Sequence, residues 1–307
     1  RIGSTCICCT GVNRSLSTSV RLSALRANVV PLLAAIALIG CAEGPASTAR
    51  PVAPSADGPR SSPSYDDDAI ALFRERNVTG SFVLLDVASG RETIVGREDA
   101  DRPHVPFSSF KIPNTLIGLE TGVIPDEQFA LKWDGTVRAV DSWNRDHDLP
   151  SAMKHSAVWF YQEVARRIGE EQMTSWVARL GYGNREVHGA VEAFWLDDGS
   201  IRISPREQVA FLRRLLAGEL PVSKRSTSIL ERIVPAETLG TAIIHGKTGL
   251  GHENGQAMGW FVGWVDAGSK RWIYATHVRS AAEDLERMIP LRRELTHALL
   301  RRANVIR

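Results

Sequence analysis

The sequence predicts an α+β fold: an antiparallel β-sheet flanked by terminal helices, with a helical subdomain inserted between its strands. Three observations carry this. Two strand-like runs, 80–86 and 92–95, open the folded part. Three more, 241–248, 257–265 and 271–278, stand near its end. The stretch between, 125–200, reads as mostly helix and loop, so the helices interrupt the sheet's connectivity.

The elements follow in order. Residues 66–76 look helical, with Ile70, Leu72 and Phe73 apolar. Gly80-Ser-Phe-Val-Leu-Leu-Asp86 is a buried strand, Ala88-Ser-Gly90 a turn, and Glu92-Thr-Ile-Val95 the return strand. A helix is expected over 108–122, with Pro113 costing it a backbone bond and bending its first turns. Amphipathic helices follow over 157–168, stopped by Gly169, and 170–180, stopped by Gly181. Another spans 205–217, with Val209, Phe211, Leu212 and Leu215 inward. Asp266-Ala-Gly-Ser269 turns the last two strands into a hairpin. A final helix begins at Ala281 or Glu283 and ends at Arg302.

The chain has 307 residues, a formal net charge of +2 and 43% hydrophobic residues, enough for a substantial core. Near-balanced charge without a basic run argues against a nucleic-acid binder. Cysteine occurs only at Cys6, Cys8, Cys9 and Cys41, so the folded part holds neither a disulfide nor a thiolate metal site. Cys6-Ile7-Cys8-Cys9 has no matching ligand cluster. The eight histidines lack metal-ligand spacing, and a metal-free protein is expected.

Residues 1–41 read as an address. Arg14, Arg21 and Arg26 precede an apolar run at 29–40, which at about twelve residues is too short to span a bilayer comfortably. Basic flank, short apolar run and small residue make a secretory signal. Leu38-Ile39-Gly40-Cys41 also resembles the bacterial lipobox, which implies lipidation of Cys41 as the mature N-terminus. A plain signal that happens to end near a cysteine is the other reading. Residues 42–64, rich in Pro, Ala, Ser and Gly, read as a flexible tether. The domain is expected over 65–307, outside the cytoplasm: in the periplasm, or held at the outer membrane if Cys41 is lipidated.

Ser108-Ser109-Phe110-Lys111 puts a hydroxyl and an amine on one helix face, one turn apart. The helix N-terminus favours negative charge developing on the serine oxygen. The lysine accepts a proton only if burial lowers its pKa. A helix cap followed by a solvated lysine fits the tetrad equally. Lys247-Thr248-Gly249 ends an expected strand, where a cation and a hydroxyl could hold a carboxylate and glycine admits a ligand close to the backbone. A strand terminus before a turn fits it too. Ser156-Ala157-Val158 reads as a helix cap, and Tyr182-Gly183-Asn184 as a turn.

The ordered set of Ser-x-x-Lys, Ser-x-Val, Tyr-Gly-Asn and Lys-Thr-Gly resembles the class D β-lactamases, the oxacillinases of the serine β-lactamase and penicillin-binding protein superfamily. The resemblance runs from 65 to the C-terminus. It includes the nucleophile segment 106–122, Trp143-Asn-Arg-Asp-His-Asp-Leu149, Phe194-Trp-Leu196 with Ile203-Ser204, and Gly259-Trp-Phe-Val-Gly-Trp264. Ser-Asp-Asn, expected of class A enzymes, is absent from the middle position.

The resemblance implies that superfamily's fold and a set of roles. Ser108 attacks the lactam carbonyl. Lys111, carboxylated by CO2, is the general base for acylation and deacylation. Phe110 and Val158 wall the amine, and the Trp195 indole N–H binds the carbamate. Ser156 relays a proton to the leaving nitrogen with support from Lys247. Thr248 binds the substrate carboxylate beside Gly249, joined by Arg292, although Arg293 is one position away. Backbone N–H groups of Ser108 and Leu250 form the oxyanion hole. The only added group is the CO2-derived carbamate, and the partner is a small-molecule β-lactam of the penicillin or oxacillin type. Monomer and homodimer both stay open. One departure is 250–256, a Gly-rich polar loop matching no family pattern, where His252 is expected to face solvent. Competing readings are an antibiotic-sensor domain that stays acylated, a cell-wall D,D-transpeptidase or carboxypeptidase, and a degenerate surface lipoprotein. Trp195 and Val158 favour the lactamase.

Overall fold

The structure, a computed structural model, describes residues 62–307. The readings placed on 1–41, including Cys41, and on the tether as far as Ser61 lie outside the described residues.

The strands in chain order are β1 (Ser64–Tyr65), β2 (Thr79–Asp86), β3 (Glu92–Val95), β4 (Ala130–Leu131), β5 (His147–Asp148), β6 (Ala236–Leu239), β7 (Ala242–Glu253), β8 (Gln256–Ala267) and β9 (Lys270–Ala281). The helices are α1 (Ala71–Arg74), α2 (Arg97–Ala100), α3 (Lys111–Glu120), α4 (Leu149–His155), α5 (Val158–Ile168), α6 (Glu170–Leu180), α7 (Pro205–Leu216), α8 (Lys224–Ile233) and α9 (Met288–Arg302). The main sheet runs β1-β3-β2-β9-β8-β7-β6, and β4 pairs with β5 apart from it. Neighbours are antiparallel except β1 with β3. The α+β class and the helical insertion therefore hold.

β8 lies buried between two cores because its side chains alternate. Met258, Trp260, Val262 and Trp264 share one core with buried residues of α3, α5 and α7. Ala257, Phe261 and Val265 face the other, against Phe73 of α1 and Leu291, Leu295 and Leu299 of α9. Capping sets the helix ends. Ser204 and Glu207 form a capping box on α7, and Asp148 and Ser151 form one on α4. α6 ends at Gly181, whose φ of 61° the missing side chain allows.

Several boundaries differ from expectation. Pro113 is the third residue of α3, where no backbone donor is needed, so it removes no helix bond. The 66–76 segment is a 3₁₀ turn (Asp67–Ile70) plus one turn of α-helix. The stretch 250–256 is not a loop. β7 and β8 stay paired through Glu253 opposite Gln256, and Asn254 (φ 51°) with Gly255 (φ 71°) makes a two-residue type I′ turn. α9 starts later than expected, because β9 continues to Ala281 opposite Gln256. α8 and β6 carry no strong signal in the sequence. α8 is a ten-residue helix that buries only Ile229, Leu230 and Ile233 among its apolar side chains.

Candidate active site

Ser108 sits half-buried in a 3₁₀ turn (Phe107–Phe110) that leads into α3. The turn is held from outside. Phe107 has φ 48°, a conformation a bulky side chain takes only under constraint. Trp260 Nε1 donates to the Val105 carbonyl at 2.8 Å, and Ser109 Oγ donates to the Pro106 carbonyl at 2.7 Å.

Lys111 opens α3 and is 0% exposed. Its Nζ donates to Ser108 Oγ at 2.9 Å. Burial pushes the amine down to about 7, because a dry site penalises the ammonium form. This overturns the solvated-lysine reading of the tetrad. Phe110 stands beside it, with the Trp195 ring stacked on Phe110 at 5.4 Å between centroids and the Tyr161 ring 5.3 Å from Lys111 Nζ. Val158 opens α5, half-buried. Trp195 is fully buried, and its Nε1 has no hydrogen-bond partner among the described residues. A buried N–H left unmatched costs about 1–3 kcal/mol, so this donor favours an acceptor beside it.

Ser156 caps the C-terminus of α4, not the start of a helix, with left-handed φ 56° and ψ 36°. Two indoles hold that end. Trp143 Nε1 donates to His155 O at 2.9 Å, and Trp159 Nε1 donates to Trp143 O at 2.8 Å. Lys247 reaches across from β7, and its Nζ donates to Ser156 Oγ at 3.0 Å and to Thr248 O at 2.9 Å. Burial, then the charges of Lys111 and Arg292, hold the Lys247 amine far below its usual pKa.

Lys247-Thr248-Gly249 lies within β7 and does not end it. A side chain on Gly249 would put Cβ 2.8 Å from Pro106 O and 3.1 Å from Trp260 Cβ. Glycine there lets β7 lie against the segment before Ser108. Leu250 is half-buried beside the second core. The structure separates the two arginines. Arg292 is 7% exposed and its Nη1 donates to Gly249 O at 2.8 Å, while Arg293 pairs at the surface with Glu237 at 2.9 Å. His252 is a half-buried β7 residue whose Nε2 lies 3.1 Å from Ala282 O, so it does not face solvent as expected.

Tyr182 is not a surface turn residue either. Its hydroxyl accepts from Gln208 Nε2 at 3.2 Å, and the same amide donates to Ser109 Oγ at 2.9 Å. Gln208 had a readable signal: it falls on the inward stripe of α7 with Leu212 and Leu215, where a polar residue needs a partner. Tyr161, bonded to Thr115 at 3.0 Å, had none. A cavity of about 840 Å³ lined by Val87, Val209, Arg213 and Ile273 contains none of these residues. Among the described residues, no group of three or more His, Cys, Asp or Glu side chains could hold a metal ion.

The model of the penicillin-binding protein transpeptidase domain matches residues 80–297. Beta-lactamase OXA-48 of Klebsiella pneumoniae is 39% identical over 236 residues, 77% of this chain and 88% of that protein. The chain belongs to the class D β-lactamases. The solved class D β-lactamase from Sebaldella termitidis matches with a TM-score of 0.76 and 31% identity, over 80% of this chain and all of that one. The regulatory protein BlaR1 of Bacillus licheniformis is also similar, 31% identical over 69% of this chain but only 35% of its own length. In this class D β-lactamase the fold gathers Ser108, Lys111, Ser156, Lys247, Thr248 and Gly249 from the 3₁₀ turn before α3, the start of α3, the end of α4 and β7. It brings Arg292, and not Arg293, up to Gly249.

Proposed function

We propose that this β-lactamase hydrolyses penicillin-type lactams through an acyl-enzyme on Ser108, with carboxylated Lys111 as base in both half-reactions. The observation that carries the proposal is a hydroxyl 2.9 Å from a fully buried amine, in a pocket whose Trp195 N–H is unmatched. Carboxylation needs a neutral amine, and burial supplies one near pH 7. The resulting carbamate is an anionic base with oxygens that suit the Trp195 donor.

Thr248 and Arg292 hold the substrate carboxylate, and the Ser108 and Leu250 N–H groups receive the carbonyl oxygen. Ser108 gives up its proton to the Lys111 base as its oxygen bonds to the carbonyl carbon, and the base hands the proton on toward Ser156, which frees it for the second half-reaction. Ser156, bonded to Lys247, passes a proton to the lactam nitrogen as the ring C–N bond breaks. Water then attacks the ester, surrendering a proton to the same base. The ester C–O bond breaks and Ser108 recovers its hydroxyl. The product is the ring-opened acid, and this loss of the intact lactam is what would contribute to antibiotic resistance. We extend the proposal to export by 1–41, with residence in the periplasm and attachment to the outer membrane through a lipid on Cys41.

A second reading, a sensor that acylates and does not turn over, is favoured by the BlaR1 likeness. One experiment decides. Purified protein is mixed with a chromogenic cephalosporin and, separately, benzylpenicillin. Hydrolysis well past one equivalent, with the acyl group trapped on Ser108 by mass spectrometry, is the expected result. A burst that stops at one equivalent selects the sensor.

A further inference from the structure

Glu253 is the last residue of β7, before the Asn254-Gly255 turn. A carboxylate at a hairpin tip ordinarily points into water. This one turns inward and is 4% exposed. Its Oε2 lies 2.9 Å from His104 Nδ1. Its Oε1 accepts from the Val105 N–H at 3.3 Å and forms an ion pair with Arg202 Nε at 2.9 Å. A buried carboxylate is tolerated only when its lone pairs are filled in this way. Burial alone would raise its pKa, and His104 and Arg202 outweigh that and hold the carboxyl below its ordinary value.

The partners come from the segments that carry the chemistry. His104 and Val105 lead directly into the Pro106-Phe107-Ser108 turn, and the His104 backbone pairs both ways with Ile203 at 3.0 and 2.9 Å. Arg202 follows the loop that holds Trp195, and its Nη1 donates to the Ile201 carbonyl at 3.1 Å and to the Gly199 carbonyl. The neighbouring His252 N–H donates to Asp197 Oδ1 at 2.8 Å, two residues from Trp195. Space is as tight as the bonding: a Cβ on Gly251 would stand 2.3 Å from the Phe107 ring and 2.4 Å from Asp197 Oδ1. The hairpin tip thus grips the approach to Ser108 and the loop of Trp195 together.

We infer that Glu253 is a positioning residue for catalysis, its carboxylate fixing the Ser108 turn and the Trp195 loop in one register against β7. The inference rests on the reading of Ser108 as nucleophile. Neither His104 nor Glu253 touches Ser108, so the effect is geometric. A misplacement of about 1 Å at a reacting group can cost about a hundredfold in rate.

The test compares the parent enzyme with E253Q and E253A. Acylation and deacylation rate constants are measured per active site, after titration of each preparation with a penicillin that acylates stoichiometrically. Per-site rates are insensitive to how much protein has unfolded. E253A is expected to lose about tenfold in both steps, and E253Q, which keeps the shape and an acceptor oxygen, to stay within about threefold. Unchanged per-site rates in E253A, with only a lower melting temperature, would overturn the inference. So would equal losses in the two variants. If E253A gives no soluble protein, R202M carries the test, with an expected fall of about fivefold in deacylation; no change there overturns it. The acylated parent is digested in parallel. An adduct elsewhere than Ser108 sinks the nucleophile assignment, a failure distinct from that of the positioning role.

Discussion

Arg292 and Gly249 are joined by a 2.8 Å hydrogen bond from Nη1 to the carbonyl oxygen, 43 residues apart in sequence. The bond ties a buried guanidinium to β7 at the residue that follows Thr248. Its Nε has no partner among the described residues, and burial, then the charge of Arg293, push its pKa down to about 10. It stays charged at neutral pH, with donor capacity to spare for an anion.

Arg292→Ala is expected to raise KM for a carboxylate-bearing penicillin by about tenfold or more, since charge-assisted bonds contribute about 1.5–3 kcal/mol. Arg293→Ala is expected to leave KM unchanged, because its partner Glu237 is at the surface, where such pairs contribute about 0–1 kcal/mol. Steady-state kinetics on the two variants check this. A larger KM effect at Arg293 would reverse the assignment.

If Lys111 is the base, as proposed, Lys111→Ala is expected to abolish turnover, leaving at most slow acylation. Substantial multiple-turnover hydrolysis by this variant would refute the role.

Protonation of Lys111 gives a pH dependence with a definite sign. The buried amine titrates at about 7, and below that its ammonium form can neither add CO2 nor accept a proton. Activity in bicarbonate-free buffer is expected to fall as pH drops through about 7, and added bicarbonate to restore it. Carbon-13 NMR with labelled bicarbonate reads the carbamate directly; absence of both signal and recovery counts against it.

The same burial costs stability. Between the folded value of about 7 and an unfolded value of about 10.4, the unfolded chain holds a proton that the native chain does not. Parent stability therefore rises with pH across that window. Without bicarbonate at pH 7, Lys111→Met is expected to melt several degrees higher, at about 2–4 °C per kcal/mol for a domain of this size. Above about pH 10 the advantage vanishes. Calorimetry at the two pH values checks both halves.

Trp195→Phe keeps a ring against Phe110 and deletes the unmatched N–H. Deacylation is expected to slow by about tenfold or more while melting temperature stays level or rises, since an unpaired donor costs about 1–3 kcal/mol. Single-turnover rates equal to the parent's would remove Trp195 from the mechanism. For export, Cys41→Ala is expected to move the protein from membrane to soluble fractions, and unchanged fractionation leaves the plain signal reading.

The sequence by itself determined the α+β class, the long helices and the chemical inventory. Each was written locally: continuous apolar runs for β2 and β8, apolar stripes ended by Gly169 and Gly181, and four short motifs in order. It did not determine what those motifs face. Whether Lys111 is solvated or dry depends on Phe110, Trp195 and Tyr161 converging from three parts of the chain. Whether 250–256 is a loop or a paired hairpin depends on β9 lying alongside. The choice of Arg292 over Arg293 needed the rotation of α9 on β8, and Glu253's inward turn needed His104 and Arg202 to reach it. Burial and long-range pairing are properties of packed neighbours, and they set the charge state and aim of side chains that local pattern can only name.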